Sequence, residues 1–248
     1  MLESGNYNQR CNFGRTDFRL TFSRPLHIRF HVIARKQMKA FKFRSEDQFS
    51  YALDIIFNKR LRCSDWSELN DPVEGAFVTS REPGGDYSDR VDKIIREKKR
   101  LKVCALSKTF DSHLLWAHYA SGFSGLAIEV EIPDPIEASP VQEVKYGGVF
   151  AHLHIGDNID PMEAAEEVLS RKYKEWKTEQ EVRILHRDEW FHLDEPVCRV
   201  IAGHRMSSPL FKGLQIICER QNIPLCRTGI GDEGIDADPV PQLDGEEV

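Results

Sequence analysis

The order of strand-like and helical segments limits this chain to a small set of folds. Period-2 alternation marks about eight strands, and helical periodicity marks about five helices. The two types do not alternate regularly, as the repeated strand–helix units of a doubly wound parallel sheet require. The pattern therefore favours an α+β fold, and the sequence contains neither an internal repeat nor a glycine-rich phosphate loop.

Four segments carry the polar residues that matter most. Residues 40–44 predict a first core strand with its aromatic side chains on one face, and residues 102–107 predict a compact central strand. Residues 160–173 predict a helix with a proline in its first turn. A further strand is expected to begin at the Glu-x-Glu motif of Glu179 and Glu181.

Charge divides the chain into three parts. The net charge is −6, yet residues 1–44 carry ten Lys/Arg against two acids, and the segment from Asp232 carries seven acids and no base. We expect residues 1–39 to form a basic N-terminal extension, residues 40–231 a single α+β domain and residues 232–248 an acidic disordered tail. A basic arm can bind nucleic acid or an acidic partner; we prefer the plainer interpretation, a poorly ordered leader.

Composition points to a cytoplasmic protein that does not associate with membranes. Hydrophobic residues make up 40% and charged residues 30% of the chain, as in soluble globular proteins. No apolar run approaches the roughly 18 residues of a membrane span, and the N-terminus lacks the pattern of a secretory signal. The six cysteines form no Cys-x-x-Cys, which favours buried thiols over a structural zinc site.

The Glu-x-Glu motif is the first sign of chemistry. On a strand, Glu179 and Glu181 would project from the same face. Two carboxylates at such a short separation repel each other, and a nearby cation or a developing positive charge would relieve the repulsion. The arrangement suits an enzyme that stabilises a sugar oxocarbenium ion or orients a hydroxyl group, although a solvated strand face can carry the same motif.

Three strand-end features together point to NAD chemistry. Arg44 ends the first strand, Ser107 and Thr109 end the central one, and the two glutamates open a later one. The arginine can pair with a phosphate or ribose, and the hydroxyl groups can hold the nicotinamide ribose. Glu181 can hold the ribose 2′-hydroxyl while charge develops at the anomeric carbon. Glu179 can orient or deprotonate an acceptor.

This order of motifs resembles the Arg–Ser–Glu signature of the ADP-ribosyltransferase superfamily. That signature places an arginine on the first strand, Ser-Thr-Ser on the second and Glu-x-Glu on the fifth. The middle motif departs from it here, because the chain has Ser107, Lys108 and Thr109.

From about residue 41 to residue 230 the chain also resembles a bacterial family, the domain of unknown function 2971. Several short motifs occur in that family's order. They are Phe-Lys-Phe-Arg44, Asn70-Asp71-Pro72-x-Glu74, Leu-Ser107-Lys-Thr, Trp116-x-His118-Tyr119, Gly125-Leu-Ala-Ile-Glu-Val, Tyr146 and Lys174-x-Trp176-x-x-Glu179-x-Glu181-x-Arg183.

The resemblance implies an ADP-ribosyltransferase-like split, mostly antiparallel sheet with flanking helices. It implies an enzyme that transfers ADP-ribose from NAD, used as a substrate and without a metal, to a protein or nucleic acid. Glu181 would be the catalytic carboxylate and Glu179 the acceptor-orienting one. The expected NAD-binding residues are Arg44, Ser107, Thr109, Trp116, His118 and Tyr119, and the expected rim is Asn70, Asp71 and Glu74.

Bacterial transferases of this kind are often toxins or phage-defence effectors, so such a role follows by analogy, and the toxin analogy leaves room for a neutralising partner.

Two other functions fit the same residues. A nucleic-acid-processing effector could use the basic leader and hold Mg²⁺ through carboxylates, namely Asp71, Glu74, Glu179 and Glu181. A non-enzymatic accessory domain could use the same groups in structural ion pairs, namely Arg44 with Glu181 and Glu179 with Arg183.

Overall fold

A computed structural model of the chain describes residues 36–71, 73–81, 87–136, 139–155 and 160–243. These residues contain fifteen strands and five α-helices. The strands are β1 (Gln37–Arg44), β2 (Arg60–Arg62), β3 (Ser64–Asp65), β4 (Phe77–Arg81), β5 (Lys102–Ser107), β6 (Leu126–Pro133), β7 (Val141–Glu143), β8 (Lys145–Gly147), β9 (Ala151–Ile155), β10 (Arg171–Tyr173), β11 (Glu181–His186), β12 (Trp190–His192), β13 (Arg199–Ala202), β14 (Leu225–Gly231) and β15 (Gly234–Pro239). The α-helices are α1 (Phe49–Asn58), α2 (Tyr87–Arg100), α3 (His113–Tyr119), α4 (Pro161–Leu169) and α5 (Ser208–Arg220). Three segments of 3-10 helix cover Glu46–Gln48, Trp66–Glu68 and Lys174–Glu179.

Nine of the described strands form one sheet. Their order is β15-β14-β13-β6-β1-β5-β11-β7, and β3 also pairs with β5. Every pairing in this sheet is antiparallel except that of β13 with β14. The predicted mostly antiparallel sheet with flanking helices is therefore confirmed.

The helices flank the sheet on both faces because its strands alternate. On β1, Ala40 packs in a core cluster that also holds buried residues of α1 and α5. Phe41 and Phe43 pack in a second cluster around Trp116 of α3. Successive strand side chains point to opposite faces, so one short strand supplies both clusters.

Strand β1 is fully paired on one side and almost unpaired on the other. It matches β6 at all eight of its residues, whereas it meets β5 only at Phe41 opposite Ser107. Beyond that pair, the Lys42 ammonium donates to the Ala105 carbonyl at 2.6 Å. The Lys42 side chain thus satisfies a carbonyl of β5 that a backbone amide of a paired strand would otherwise satisfy. Strands β1 and β5 separate at this point.

The helix predicted over residues 160–173 ends early. Helix α4 stops at Leu169, and Ser170 caps it by donating its hydroxyl to the Glu166 carbonyl at 2.6 Å. The chain then forms β10, which pairs in parallel with β8. Arg171, Lys172 and Tyr173 were therefore wrongly predicted as helical, and this error matters for the site.

Both predicted domain boundaries need correction. Gln37–Arg44 is one continuous strand, so the sheet begins before residue 40. The predicted disordered tail includes β15, which pairs with β14 along its whole length. Ile235 is buried, and its amide donates to the Asp111 carboxylate at 2.8 Å. Ile235 is buried and Asp236 is exposed, which is the alternation expected of a strand. The acidic composition of the segment outweighed this alternation in the prediction. Residues 1–35 and 244–248 lie outside the described residues, and so do the predictions made for them.

Candidate functional site

A cavity of about 360 Å³ lies where β1 and β5 separate. Its size falls within the roughly 300–1,000 Å³ of small-molecule sites. Strands β1, β5 and β11 contribute to its wall, as do α1, α3, β2, β3, β10 and residues 68–70. Strands β1, β5 and β11 are neighbours in the sheet, so residues that are far apart in the sequence meet here.

Most of the residues selected from the sequence line this cavity. Those that do so are Arg44, Asn70, Glu74, Ser107, His118, Tyr119, Glu179 and Glu181. The pattern of an arginine, a serine and two glutamates was therefore sufficient to find one common cavity.

Trp116 does not reach the cavity. Its side chain is fully buried, and its indole Nε1 donates to the Phe110 carbonyl at 2.8 Å. Its ring stacks on Phe123 at 5.3 Å between centroids. A tryptophan with its N–H satisfied and its ring packed is part of the core, so Trp116 supports the cavity wall from behind the residues that line it.

Thr109 and Asp71 also lie outside the cavity. The Thr109 hydroxyl accepts from the Asp111 amide at 3.0 Å. The Asp71 carboxylate accepts from the Val73 amide, also at 3.0 Å. Both are local turns in which a side chain caps its own backbone, and neither side chain lines the cavity.

Ser107 is the hydroxyl that remains, and it fixes the position of a glutamate. Its oxygen accepts from the Thr109 amide at 3.1 Å and lies 2.7 Å from the Glu179 carbonyl and 2.8 Å from the Thr109 carbonyl. The single hydroxyl proton can serve one of these carbonyls at a time. Ser107 therefore ties the backbone before β11 to the end of β5.

The two glutamates meet in a different way from the one predicted. Glu179 belongs to a 3-10 helix, Gln180 adopts the left-handed conformation with φ of 45°, and Glu181 begins β11. They are therefore not alternate residues of one strand. The buried Lys172 brings them together instead, since its ammonium lies 2.5 Å from Glu179 Oε2 and 2.7 Å from Glu181 Oε2.

A chain of alternating charges extends from this lysine. Glu181 Oε1 accepts from Arg183 Nε at 2.6 Å. Arg183 then binds Glu74 with both terminal nitrogens, at 2.6 and 2.9 Å. At the other end, the Tyr119 hydroxyl donates to Glu179 Oε1 at 2.7 Å. Six buried or nearly buried side chains are thus linked one to the next from Glu74 to Tyr119.

Electrostatics keeps Glu181 ionised. Burial by itself would raise the pKa of Glu181, but Arg183 and Lys172 outweigh burial and lower that pKa from 4.5 to about 2. Burial would likewise lower the pKa of Lys172, but Glu181 and Glu179 together hold it above its ordinary value. At neutral pH, Glu181 is therefore an acceptor of hydrogen bonds and a fixed negative charge.

A second polar region of the cavity is cationic. Arg44 and Arg62 both lie against the Tyr51 ring, at 5.5 and 5.7 Å from its centroid. Arg62 is bonded to Glu189 at 3.0 Å. Arg44 Nε is buried without a hydrogen-bond partner among the described residues, and burial lowers the pKa of Arg44. A buried guanidinium with an unused donor favours an anionic ligand.

The structure also bears on the two alternative interpretations. Neither predicted ion pair forms within the described residues, because Glu181 binds Arg183 and Lys172 while Glu179 binds Lys172. That part of the chain contains no group of three or more His, Cys, Asp or Glu side chains arranged to hold a metal ion. Glu179 and Glu181 both contact the Lys172 ammonium.

Comparison of the chain with protein-family models, with curated proteins and with solved structures gives no match. The resemblances drawn from the motifs therefore stay predictions. None of the described helices is both long and apolar enough to cross a membrane.

The sequence analysis did not identify Lys172, gave no role to Tyr146 and paired Arg183 with the wrong glutamate. Lys172 was hidden because its segment was predicted to be helical, whereas a three-residue strand directs it at the glutamates. Tyr146, whose hydroxyl accepts from the Glu181 amide at 2.7 Å, was only part of a motif. Arg183 was assigned to the wrong glutamate. Its spacing from Glu181, two residues along a strand, was the signal that could have identified the pair.

Proposed function

We propose that this protein binds NAD in the cavity between β1 and β5 and transfers its ADP-ribose group to a macromolecule. One observation carries the proposal: Arg44, Ser107 and Glu181 come from three adjacent strands and line one cavity. The separation of β1 from β5 would then correspond to the split sheet of ADP-ribosyltransferases. An effector role, as a toxin or in phage defence, follows only from the analogy with such enzymes.

The charges of the cavity suit the two ends of NAD. The Arg44 guanidinium, whose Nε has no hydrogen-bond partner among the described residues, would bind the pyrophosphate or its adjoining ribose. Glu181 would accept a hydrogen bond from the 2′-hydroxyl of the nicotinamide ribose. Because Arg183 and Lys172 use one lone pair on each of its oxygens, further lone pairs remain for that hydroxyl.

In the proposed reaction, the bond between the ribose anomeric carbon and the nicotinamide nitrogen breaks. The bonding electrons leave with nicotinamide, which becomes neutral, and the ionised Glu181 stabilises the positive charge that develops on the sugar. A nucleophile of the acceptor then bonds to the same carbon. Its proton passes to Glu179, which Tyr119 and Lys172 hold in position.

Release of nicotinamide from NAD tests the proposal. We expect wild-type protein, with bacterial lysate as acceptor and EDTA present, to release nicotinamide and to label a macromolecule. Glu181→Gln should lower the rate by about 10²-fold or more, the usual cost of losing one preorganised electrostatic contact. Arg44→Met should weaken NAD binding, measured by calorimetry.

Glu143→Gln is the matched control, because it neutralises an exposed glutamate whose ion-pair partner within the described part of the chain is the surface residue Lys108. It should retain the wild-type rate. Absence of both NAD binding and nicotinamide release in the wild type would refute the proposal. Activity that disappears with EDTA would instead favour the metal-dependent alternative.

A further inference from the structure

Among the residues that the structure describes, Lys172 is the one cation that contacts both glutamates. Its ammonium reaches Oε2 of each, and its side chain is only 7% exposed. Strand β10 holds it in place through the register of Lys172 opposite Tyr146, and the Trp176 ring lies 5.2 Å from the ammonium. Two elements thus fix a lysine between two carboxylates.

The surrounding groups cannot replace its charge. The charged and titratable residues that contact the glutamates or lie close to this cluster are Lys42, Glu74, His118, Tyr119, Tyr146 and Arg183. Arg183 already serves two carboxylates, those of Glu74 and Glu181, and the Lys42 ammonium is bonded to the Ala105 carbonyl. Glu179 has Lys172 as its ion-pair partner within the described residues, and its other oxygen accepts from a neutral phenol.

We propose that Lys172 is a positioning residue for the transfer reaction, one that keeps Glu179 ionised beside Glu181. The inference rests on the proposed function. In that reaction the acceptor's proton passes to Glu179, and Lys172 is the ion-pair partner of this carboxylate within the described residues. Without the ammonium, two carboxylates would share a buried site, and such a pair retains one proton. That proton resides on Glu179, because Glu181 keeps its bond to Arg183.

Replacing Lys172 by a neutral residue should therefore change how the transfer rate depends on pH, instead of lowering the rate equally at every pH. In Lys172→Met, the proton shared by the two carboxylates would prevent Glu179 from accepting the acceptor's proton. Transfer should then fall by about 10²-fold at pH 7, which is the scale of a general-base contribution. It should recover as the pH rises and the shared proton leaves. Lys172→Arg, which keeps the charge, should restore the wild-type profile.

The closing experiment measures protonation and transfer in the same proteins. The full-length chain is labelled with 13C at the glutamate carboxyl carbon, and carboxyl signals are followed by NMR from pH 4 to 9. We expect Lys172→Met to gain a carboxyl signal that titrates at a higher pH than the carboxyl signals of the wild type. The signal should be absent from the wild type and from the double variant Lys172→Met/Glu179→Gln, in which residue 179 no longer carries a charge that repels Glu181. Lys172→Gln serves as a second neutral variant if Lys172→Met does not fold.

Each outcome decides the inference. The extra titration together with a shifted transfer profile supports it. Absence of the extra titration, or a transfer rate reduced by one factor at every pH, overturns it and leaves Lys172 a structural residue. If the wild type releases no nicotinamide, the proposed function fails, whereas the carboxyl signals still decide whether Lys172 controls the protonation of the pair.

Discussion

Glu181→Gln should destabilise the protein in a way that depends on pH. The substitution removes the negative charge between Arg183 and Lys172, which are bonded to its two oxygens at 2.6 and 2.7 Å. Both cations stay buried and each loses a partner. Breaking a buried pair in this way typically costs about 3–5 kcal/mol.

The pKa of Glu181 gives an independent magnitude. It is lowered from 4.5 to about 2 in the folded chain, and each pKa unit corresponds to about 1.4 kcal/mol. Ionisation in the folded state therefore contributes about 3 kcal/mol at pH 7. A lowered pKa means that the unfolded chain binds more protons between the two values. The contribution is thus complete above about pH 5 and is lost as the pH falls towards 2.

Urea unfolding of both proteins at several pH values measures this effect. We expect Glu181→Gln to be less stable than wild type by about 3 kcal/mol at pH 7. The difference should shrink by about 2 kcal/mol between pH 5 and pH 3, because in this range the unfolded wild-type chain takes up a proton at residue 181 and the variant cannot. Glu74 titrates in both proteins, so its contribution largely cancels. Lys172 and Arg183 remain charged throughout this range.

The exposed Glu143→Gln again serves as the control, with an expected change within about 0.5 kcal/mol. A difference between wild type and Glu181→Gln that stays constant from pH 5 to pH 3 would refute the reasoning. It would mean that the Glu181 carboxylate is not held ionised by its two cations.

Two further predictions concern the core and the C-terminal strand. Trp116→Ala should lower the free energy of unfolding by about 3–5 kcal/mol; urea unfolding that differs by less than 1 kcal/mol would place this ring outside the core. Ile235→Ala should lower it by about 2–4 kcal/mol, since this side chain is buried in the cluster around α3. An unchanged transition midpoint for Ile235→Ala would restore the original prediction of a disordered tail.

Prediction from sequence succeeded where the signal was local. Strand β5 begins and ends where the alternation of residues 102–107 placed it, and β1 separates its aromatic side chains from its cationic ones. The prediction was wrong where pairing with a strand distant in the sequence determined the conformation. The helical periodicity of residues 160–173 continues past Leu169, yet pairing with β8 draws Lys172 into a strand. Likewise, pairing with β14 orders residues that their acidic composition marked as disordered.

The sequence by itself determined the kinds of secondary structure and the set of candidate side chains. Residue periodicity and motif order are properties of neighbouring positions, so Arg44, Ser107 and Glu181 could be selected without coordinates. Only the tertiary structure decided which charges are paired. Arg183 binds Glu74 across 109 residues of sequence, and Lys172 reaches both glutamates from a different strand. Ion pairs depend on distances of a few ångströms and on burial, and the packing of the sheet sets both.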